Sequence, residues 1–483
     1  MNKIVYILPV AVFFYSCKPQ AQQPQLPITQ IQSDFDSLRS ALKEAHSGLY
    51  RYSSRERMDS IFDHYRSQLD HPMTNRQFIS VIAGLLPEVR DGHLRLEPDP
   101  ETISQISNAK LLPLRLTREE NKLIVLFNDT PGDHTVQPGM ELLSINDHKP
   151  SDLIPLFLSK ISDDGYIETG KVKRMERNFA TLYWLFVNND SVFSVRVKDP
   201  NGKIFNATLN GIKSTDRERN SNLNPVNNVI RKNLASLEGA PENVSIRFVT
   251  KNIAAIRVRS FVSDSFYDDI DSAFSSLHRQ KAKTLILDLR GNGGGVDNYG
   301  AYLVAQFMDH SFRYFDHIRM NSINPSFAGL KTSSVENFRN GTTSDPNGGY
   351  LVTTAMHDGV GEQAPGKNPF HGKLIVLMDG GTFSTAADAT ALLRHLTPAL
   401  FIGEESGGSY EGNTSGSSAR FRFPYSKLVL NINMYDYYNA VKPAVQKGRG
   451  TMPDFAVPVT VSDLLKGTDA PWEKAMQLAT ADN

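Results

Sequence analysis

The feature that most constrains this chain is an apolar run at residues 374–378 that breaks at Asp379, two glycines and Ser384 and then continues as a helical pattern. A short apolar run bounded by turn residues predicts a buried strand, and residues 386–396 have the composition and apolar spacing of a helix. Ser384 therefore lies at a predicted strand-to-helix turn. There its hydroxyl can face a cleft, and the free N–H groups of the first helical turn can stabilise a developing oxyanion. A plain helix N-cap is the alternative role for this serine.

A second predicted buried strand, at residues 284–290, runs into a glycine-rich segment at residues 291–295. Because such a loop has little side-chain bulk, its backbone N–H groups can approach a ligand closely. The dinucleotide-binding fingerprint fails because Val296 stands where its last glycine should be, and no phosphate-loop lysine motif is near. We therefore expect a backbone-lined site here and not a nucleotide phosphate site.

A third segment places His93 after Asp91 and Gly92, at the predicted junction between a helix and a strand-like stretch. Imidazole is well suited to act as a general acid or base near neutral pH. A lone histidine can equally be a surface or packing residue. From these residues alone both interpretations stay open.

Taken in chain order, the three segments resemble the tail-specific (C-terminal-processing) serine protease family. The resemblance covers most of the chain after the N-terminal segment. It implies an α/β fold with a crotonase-like (ββα-repeat) protease core, and a serine-type peptidase that forms an acyl-enzyme. Each motif is weak alone, but the ordered set is specific. The matching motifs are Asp91-Gly92-His93, Asp288 to Gly295, Gly380 to Ser384, Gly403 to Gly408 and Gly450 to Asp454.

The resemblance also implies roles for the matching residues. Ser384 is the nucleophile, and the oxyanion hole is formed by backbone N–H groups of Gly294 and Thr385. The bacterial processing proteases take a lysine base from the loop that here reads residues 403–410, and this loop contains no lysine. The tricorn-like branch uses a histidine from the N-terminal part of the unit, which matches His93.

The chain departs from the tricorn-like pattern at two positions. That branch has a serine directly before the histidine and a glutamate shortly before the final Pro-Asp, where this chain has Gly92 and Lys447. The group that orients or supports His93 therefore stays open. An inactive peptide-binding envelope protein of the same fold is the alternative function, and acyl transfer on a non-peptide substrate is a third. The candidates for the supporting group are Asp91, Asp388, Glu404 and Glu405, each of which can equally have an ordinary helix-turn or solvated-loop role.

The N-terminus has the pattern of a bacterial lipoprotein signal peptide. Lys3 precedes an apolar run at residues 4–14 that is too short to span a bilayer, and Ser16 and Cys17 follow. We expect residues 1–17 to form the signal peptide and Cys17 to be lipidated, which predicts attachment in the cell envelope, at the periplasm or outer membrane. Cys17 is the only cysteine, so a disulfide within the chain is excluded.

The rest of the chain divides by pattern into segments. A polar, glutamine- and proline-rich stretch predicts a flexible tether. In this family PDZ-like modules engage substrate segments, often by adding a chain end as an extra strand. The polar stretch at residues 332–350 predicts a mobile loop near the active-site rim. The predicted segments are a tether (18–32), a helical cap domain carrying His93 (33–100), a PDZ-like β-module (105–213), a connector (214–240), the protease core (241–465) and a C-terminal tail (466–483).

Composition narrows the partners. The chain has 52 basic and 52 acidic residues and no basic run, which argues against nucleic acid, since phosphate binding needs clustered cations. The histidines are scattered and no HExxH motif occurs, so the sequence predicts no metal and no cofactor. The expected partners are a peptide or protein substrate, bound in part through a chain end, and a membrane reached by the lipid anchor. The sequence does not fix the oligomeric state.

Overall fold

The computed structural model describes residues 24–481. The predicted signal peptide, its Cys17 and the first part of the predicted tether lie outside the described residues. Across the described chain, no helix has both the length and the apolar character required to cross a membrane. The predicted α/β class is confirmed, since strands and helices alternate through the second half of the chain.

The N-terminal part is a helical layer whose apolar faces pack into one cluster. Thr74 and Gln77 form the capping box predicted for the third helix. The predicted tether ends earlier than residue 32, because the first helix begins at Ile28 and Ile31 is fully buried on its apolar face. The elements are β1 Gln25–Leu26, α1 Ile28–Ala45, α2 Arg55–Ser67, β2 Met73–Thr74 and α3 Asn75–Val89, with β1 and β2 paired antiparallel.

A five-stranded antiparallel sheet follows, in which each strand pairs with the next one along the chain. Its alternating buried side chains share one core with two helices. The β-module predicted for residues 105–213 therefore contains the expected short strands, and its PDZ-like character stays a prediction. Strand β3 Arg95–Glu97 and helix α4 Pro100–Asn108 precede this sheet. The sheet and its two helices comprise β4 Leu114–Glu119, β5 Lys122–Asn128, β6 Glu141–Ile145, α5 Pro150–Leu158, α6 Thr169–Phe186, β7 Val192–Lys198 and β8 Ile204–Asn210.

The connector is helical rather than extended. Helices α7 Arg217–Leu223 and α8 Asn228–Glu238 span most of it. Four of its polar residues are buried, and two of them, Asn224 and Asn227, donate side-chain hydrogen bonds to the backbone carbonyl of Asn128. Many of its other polar side chains are exposed.

The core is built around a six-stranded sheet of order β21-β18-β17-β11-β10-β9, parallel except at the β9 edge. Its strands are nearly continuous apolar runs, as expected for a parallel sheet that is covered on both faces. The elements of this sheet and its helices are β9 Val244–Phe248, β10 Ile253–Val258, α9 Phe266–Gln280, β11 Thr284–Asp288, α10 Asp297–Ala305, β17 Lys373–Met378, α12 Thr385–Leu396, β18 Leu400–Gly403 and β21 Phe455–Ala456.

A second six-stranded sheet lies across α10 and α12, whose buried side chains join those of both sheets in one cluster. Strand β3, directly after His93, pairs with the long strand β20 of this sheet. The remaining elements are β12 Phe312–Arg313, β13 Phe315–Met320, α11 Thr332–Asn340, β14 Thr342–Ser344, β15 Tyr350–Val352, β16 Glu362–Gln363, β19 Thr414–Arg422, β20 Val429–Asn439, α13 Val461–Lys466 and α14 Ala470–Thr480.

Two sequence expectations are wrong in this half. The predicted mobile loop at residues 332–350 contains α11 and β14, because Phe338 is buried and β14 pairs with β15. The predicted tail at residues 466–483 contains α14, whose Ala475 and Ala479 pack against the first sheet on the face opposite α12.

Parallel pairing brings the two predicted functional loops together. In register, Asp288 at the end of β11 lies beside Leu377 near the end of β17. The glycine loop and the Ser384 turn therefore leave the sheet side by side at the carboxyl ends of the strands. In open α/β sheets this edge is where ligands bind.

Candidate active site

The turn that carries Ser384 is held by several side-chain hydrogen bonds. The Asp379 carboxylate accepts from the N–H groups of Gly291 and Gly381 at 2.8 and 2.9 Å. The Thr382 hydroxyl donates to the Leu289 carbonyl at 2.9 Å. The Gly381 bond closes the turn on itself, and the bonds to Gly291 and Leu289 tie it to the glycine loop and the end of its strand.

Ser384 itself has a left-handed backbone, with φ 55° and ψ −133°. A non-glycine residue in such a conformation is strained, and strain of this kind concentrates at functional sites. Within the described chain the Ser384 side chain makes no cap hydrogen bond to α12. The plain N-cap interpretation therefore does not fit this serine.

The Ser384 hydroxyl instead contacts His93, which is 291 positions away in sequence. His93 Nε2 and Ser384 Oγ are 3.1 Å apart. The His93 ring also stacks on Phe383, with 4.5 Å between ring centroids. Burial, helped by the positive charges of Arg174 and Arg95 and opposed by Asp91, lowers the pKa of His93 to about 4. The imidazole is therefore neutral near neutral pH, the state in which a histidine can accept a proton.

The segment before His93 explains how it reaches the core. Helix α3 ends at Arg90, a left-handed residue with φ 62°, and the chain then turns toward β20. Gly92 is required there, because an added Cβ would lie 2.9 Å from the Phe383 ring and 3.1 Å from Asp163 Oδ1. The ring of Phe383 thus occupies the space that a serine side chain before His93 would need.

Asp91 is the sequence-predicted carboxylate that lies next to His93. Its Oδ1 accepts the His93 backbone N–H at 2.7 Å and lies 3.8 Å from His93 Nδ1. Its Oδ2 lies 2.9 Å from His46 Nε2 and accepts from the Asn433 side chain at 3.1 Å. Burial would raise the pKa of Asp91, but His46 and the charge of His93 hold it below its usual value.

The other three sequence candidates do not contact His93. Asp388 accepts hydrogen bonds from the Asn413 and Asn439 side chains on the far side of the first turn of α12. Glu404 forms an ion pair with Lys173 at 3.2 Å. Glu405 forms an ion pair with Arg449 and accepts the Gly450 N–H at 2.8 Å. These carboxylates hold loops and helices around the site, so their selection as His93 partners is wrong.

Asp164 is a site residue that the sequence interpretation missed. Its carboxylate accepts the Gly92 N–H at 2.8 Å, and burial together with Asp163 and Asp91 raises its pKa well above the usual value. Among residues 24–481, neither Asp164 Oδ2 nor His93 Nδ1 has a hydrogen-bond partner, although both are buried. The doublet of aspartates at 163 and 164 before a glycine was the signal in the sequence, but its distance from His93 along the chain hid it.

Asp91, His93 and Asp164 also have the spacing of a metal site, since each offers one atom within 4.8 Å of the others. The sequence itself predicts no metal. Asp91 already takes part in contacts with His93, His46 and Asn433, so spacing alone does not assign a metal here.

The glycine loop touches the nucleophile at Gly294. A Cβ at this position would lie 2.7 Å from Ser384 Cβ and 2.9 Å from the Thr385 nitrogen, and the Gly294 φ is +93°. Thr385 is the first residue of α12, where backbone N–H groups have no partner within the helix. The Gly294 N–H, however, already donates to Asn292 Oδ1 at 2.9 Å. The Gly294 N–H is therefore not a free oxyanion donor, which corrects the sequence prediction, and the oxyanion role of Thr385 stays a prediction.

A serine on a strained strand-to-helix turn, in contact with a neutral histidine and flanked by a glycine loop, is the arrangement of serine hydrolases. Residues 252–457 match the model of the family described as Peptidase family S41. The core of the protein belongs to that family, and the protein is a serine-type peptidase.

Comparison with solved structures shows the fold over almost the whole chain. Mature CPAF is 12% identical, with 94% of this chain and 96% of that chain covered and a TM-score of 0.62. Mature CPAF complexed with lactacystin is 11% identical, with 94% and 98% covered and a TM-score of 0.64. A putative peptidase from Parabacteroides merdae is 14% identical, with 94% and 98% covered and a TM-score of 0.47. No curated protein matches the chain significantly.

Proposed function

We propose that the protein hydrolyses peptide bonds through an acyl-enzyme on Ser384, with His93 as general base. The observation that carries the proposal is the 3.1 Å contact between His93 Nε2 and Ser384 Oγ. A nucleophile and its base need this distance for direct proton transfer. The low pKa of His93 keeps Nε2 free to accept the proton.

The reaction then follows from the geometry. Ser384 Oγ bonds to the scissile carbonyl carbon while its proton passes to His93 Nε2. The C–N bond breaks as His93 returns that proton to the leaving amine. Water next attacks the ester, His93 takes the water proton, and the released serine regains it. The Thr385 N–H, at the start of α12, is a donor for the oxyanion.

Labelling tests this proposal directly. The purified full-length protein is treated with a fluorophosphonate probe and analysed by intact mass, beside Ser384→Ala and His93→Ala. We expect one adduct on the wild type, none on Ser384→Ala and strongly reduced labelling of His93→Ala. A folded wild type without an adduct would instead support the inactive peptide-binding alternative, for which the missing partner of His93 Nδ1 is the structural argument.

We propose that the β-module binds a segment of the substrate. Its outer strand β4 pairs with β5 in the described sheet and lies against α6, whose Glu176 carboxylate accepts the Arg118 N–H at 2.7 Å. An extended peptide can add as a strand along the rest of this edge. Calorimetric titration of Ser384→Ala with peptides that differ in their free carboxyl end tests this. Equal affinity for amidated and free-acid peptides would contradict recognition of a chain end.

We also propose that the protein is a lipid-anchored envelope protein of a bacterium. The support is the sequence pattern of residues 1–17, with Cys17 after a short apolar run. Growth with an alkyne-labelled fatty acid should label the wild type and not Cys17→Ser. Equal labelling of both proteins would reject acylation at Cys17.

A further inference from the structure

A chain of hydrogen bonds runs from the Thr385 hydroxyl through Asp297 to His357. We infer that Asp297 and His357 are positioning residues that fix Thr385 and the glycine loop for oxyanion binding. The inference rests on the proposed function, since it concerns the donor beside Ser384. Neither residue belongs to a motif that the sequence interpretation used.

The contacts form one continuous path. His357 Nε2 lies 3.0 Å from Asp297 Oδ2, and the Thr385 hydroxyl lies 3.0 Å from Asp297 Oδ1. His357 Nδ1 accepts the Gly359 N–H at 3.1 Å, so in the neutral ring Nε2 carries the hydrogen and donates to Asp297. The tautomer of His357 is thereby fixed by the backbone, and the orientation of the Asp297 carboxylate is fixed by His357.

The Thr385 hydroxyl is the point where three elements meet. Its oxygen lies 3.0 Å from Asp297 Oδ1 at the start of α10 and also 3.0 Å from the Gly295 carbonyl in the glycine loop. A hydroxyl has one hydrogen, so the Thr385 hydroxyl shares it between these two acceptors, with the charged carboxylate as the stronger one. Helix α10 also closes over the threonine methyl, because a Cβ at Gly300 would lie 2.7 Å from Thr385 Cγ2.

The functional consequence follows from which backbone groups this hydroxyl controls. Thr385 carries the backbone N–H next to the nucleophile. Gly295 directly follows Gly294, the glycine that lies against Ser384. A donor stabilises an oxyanion only if it is already aimed at the place where the charge develops. Misplacement by about 1 Å can cost two orders of magnitude in rate. Loss of the Asp297 contact should therefore lower the rate of the covalent step and leave ground-state binding nearly unchanged.

Fluorophosphonate kinetics on the full-length protein test this, because Ser384 Oγ bonds to phosphorus as fluoride leaves and the phosphoryl oxygen occupies the oxyanion position. We expect Thr385→Val to lower the limiting inactivation rate about tenfold or more with little change in the half-saturating probe concentration. Thr385→Ser keeps the hydroxyl and should restore most of the rate. Asp297→Asn should lower the rate in the same way, since the uncharged amide binds the hydroxyl more weakly.

Thr390→Val is the matched control, because Thr390 is a buried threonine on the same helix whose hydroxyl donates to the Ala387 carbonyl. Its inactivation rate should stay at the wild-type value, and thermal melts check that every variant is folded. Wild-type rates for folded Thr385→Val and Asp297→Asn would overturn the inference and leave the proposed function intact. Absence of a Ser384 adduct on the wild type would overturn both.

Discussion

The two halves of the proposed catalytic pair are built differently. The Ser384 side belongs to the S41 core. Its Asp379 carboxylate accepts a hydrogen bond from the Gly291 N–H, and the Thr382 and Thr385 hydroxyls donate to the Leu289 carbonyl and the Asp297 carboxylate. The His93 side comes from the N-terminal cap and is held by ring stacking on Phe383 and by its backbone N–H. Hydrogen bonds thus hold the backbone on both sides, but the His93 ring is positioned by stacking and has no hydrogen bond at Nδ1 within residues 24–481.

The difference has a chemical meaning. In a serine-histidine-carboxylate triad the carboxylate accepts the second ring hydrogen, which sets the tautomer and stabilises the imidazolium. Here His93 Nδ1 has no partner among residues 24–481, and Asp91 Oδ1 is 3.8 Å away. Asp91 can still stabilise a positive His93 through charge, but it does not fix the ring by a direct bond. Variants on the two sides should therefore lower the labelling rate to different degrees.

The largest effect is expected from removing the pair itself. Ser384→Ala should abolish fluorophosphonate labelling, and His93→Ala should reduce its rate by about 10²- to 10⁴-fold, the usual contribution of a general base. His395→Ala is the matched control, since His395 lies at the end of α12 and has no contact with Ser384. Wild-type labelling of His93→Ala would show that the structural contact is not used for proton transfer.

A smaller effect is expected at the carboxylates of the His93 side. Asp91→Asn keeps the side-chain shape but removes the charge near Nδ1, so we expect a roughly tenfold lower labelling rate, far less than in a directly bonded triad. Asp164→Asn should have little effect, because the amide keeps an oxygen that can accept the Gly92 N–H. If Asp164→Asn lowers the rate more than Asp91→Asn, Asp164 is the residue that supports His93.

Sequence alone supplied the ordered motifs, and with them Ser384, His93 and the strand-loop-helix framework of the core. It could not supply Asp164 or the stacking of Phe383 on His93, because these contacts join segments separated by 70 residues or more. The Gly294 N–H was also beyond reach, since its direction depends on the Asn292 side chain two residues away.

The same limit explains the errors in element assignment. Polar composition predicted a loop over α11, yet one buried phenylalanine and pairing between β14 and β15 order this segment. In the connector, Asn224 and Asn227 are polar residues that satisfy the buried Asn128 carbonyl, a role that polar composition does not reveal. Both cases depend on partners that are remote along the chain, which local periodicity does not report.

The pH dependence of labelling tests whether the His93 ring is buried. Because the pKa of His93 is lowered to about 4, its neutral form persists well below the usual imidazole range. The labelling rate should therefore stay level from pH 7 to about pH 5 and halve near pH 4. A half-maximal rate near pH 6.5 would contradict burial of the ring.

The stability of the fold changes over the same pH window. The unfolded chain protonates His93 first, so the contribution of His93 to folding is complete above about pH 6.5 and is lost as pH falls toward 4.

The smallest effect is expected on the nucleophile side, where Asp388 lies beneath the first turn of α12. Burial and the nearby Asp297 raise the pKa of Asp388 to about 8, against hydrogen bonds from Asn439 and Asn413. The folded pKa lies above the unfolded one, so the contribution of Asp388 to stability is present at low pH and is lost as pH rises from about 4 through 8. Asp388→Asn removes this loss and should stabilise the protein by about 1–2 kcal/mol at pH 8, and less at pH 5.

A neutral amide fits that position. Asn413 Nδ2 faces both Asp388 oxygens, and Asn413 Oδ1 is a buried acceptor without a partner in the described part of the chain. A flip of the Asn413 side-chain amide would therefore turn Oδ1 toward the new amide and let it accept. Denaturant unfolding at pH 5 and pH 8 measures the difference, with the exposed Asp264→Asn as control. Equal stability changes at both pH values would mean that Asp388 is ionised throughout. The first turn of α12 would then contain a buried, ionised carboxylate. The nucleophile side would carry a buried negative charge, whereas the His93 ring on the base side is neutral.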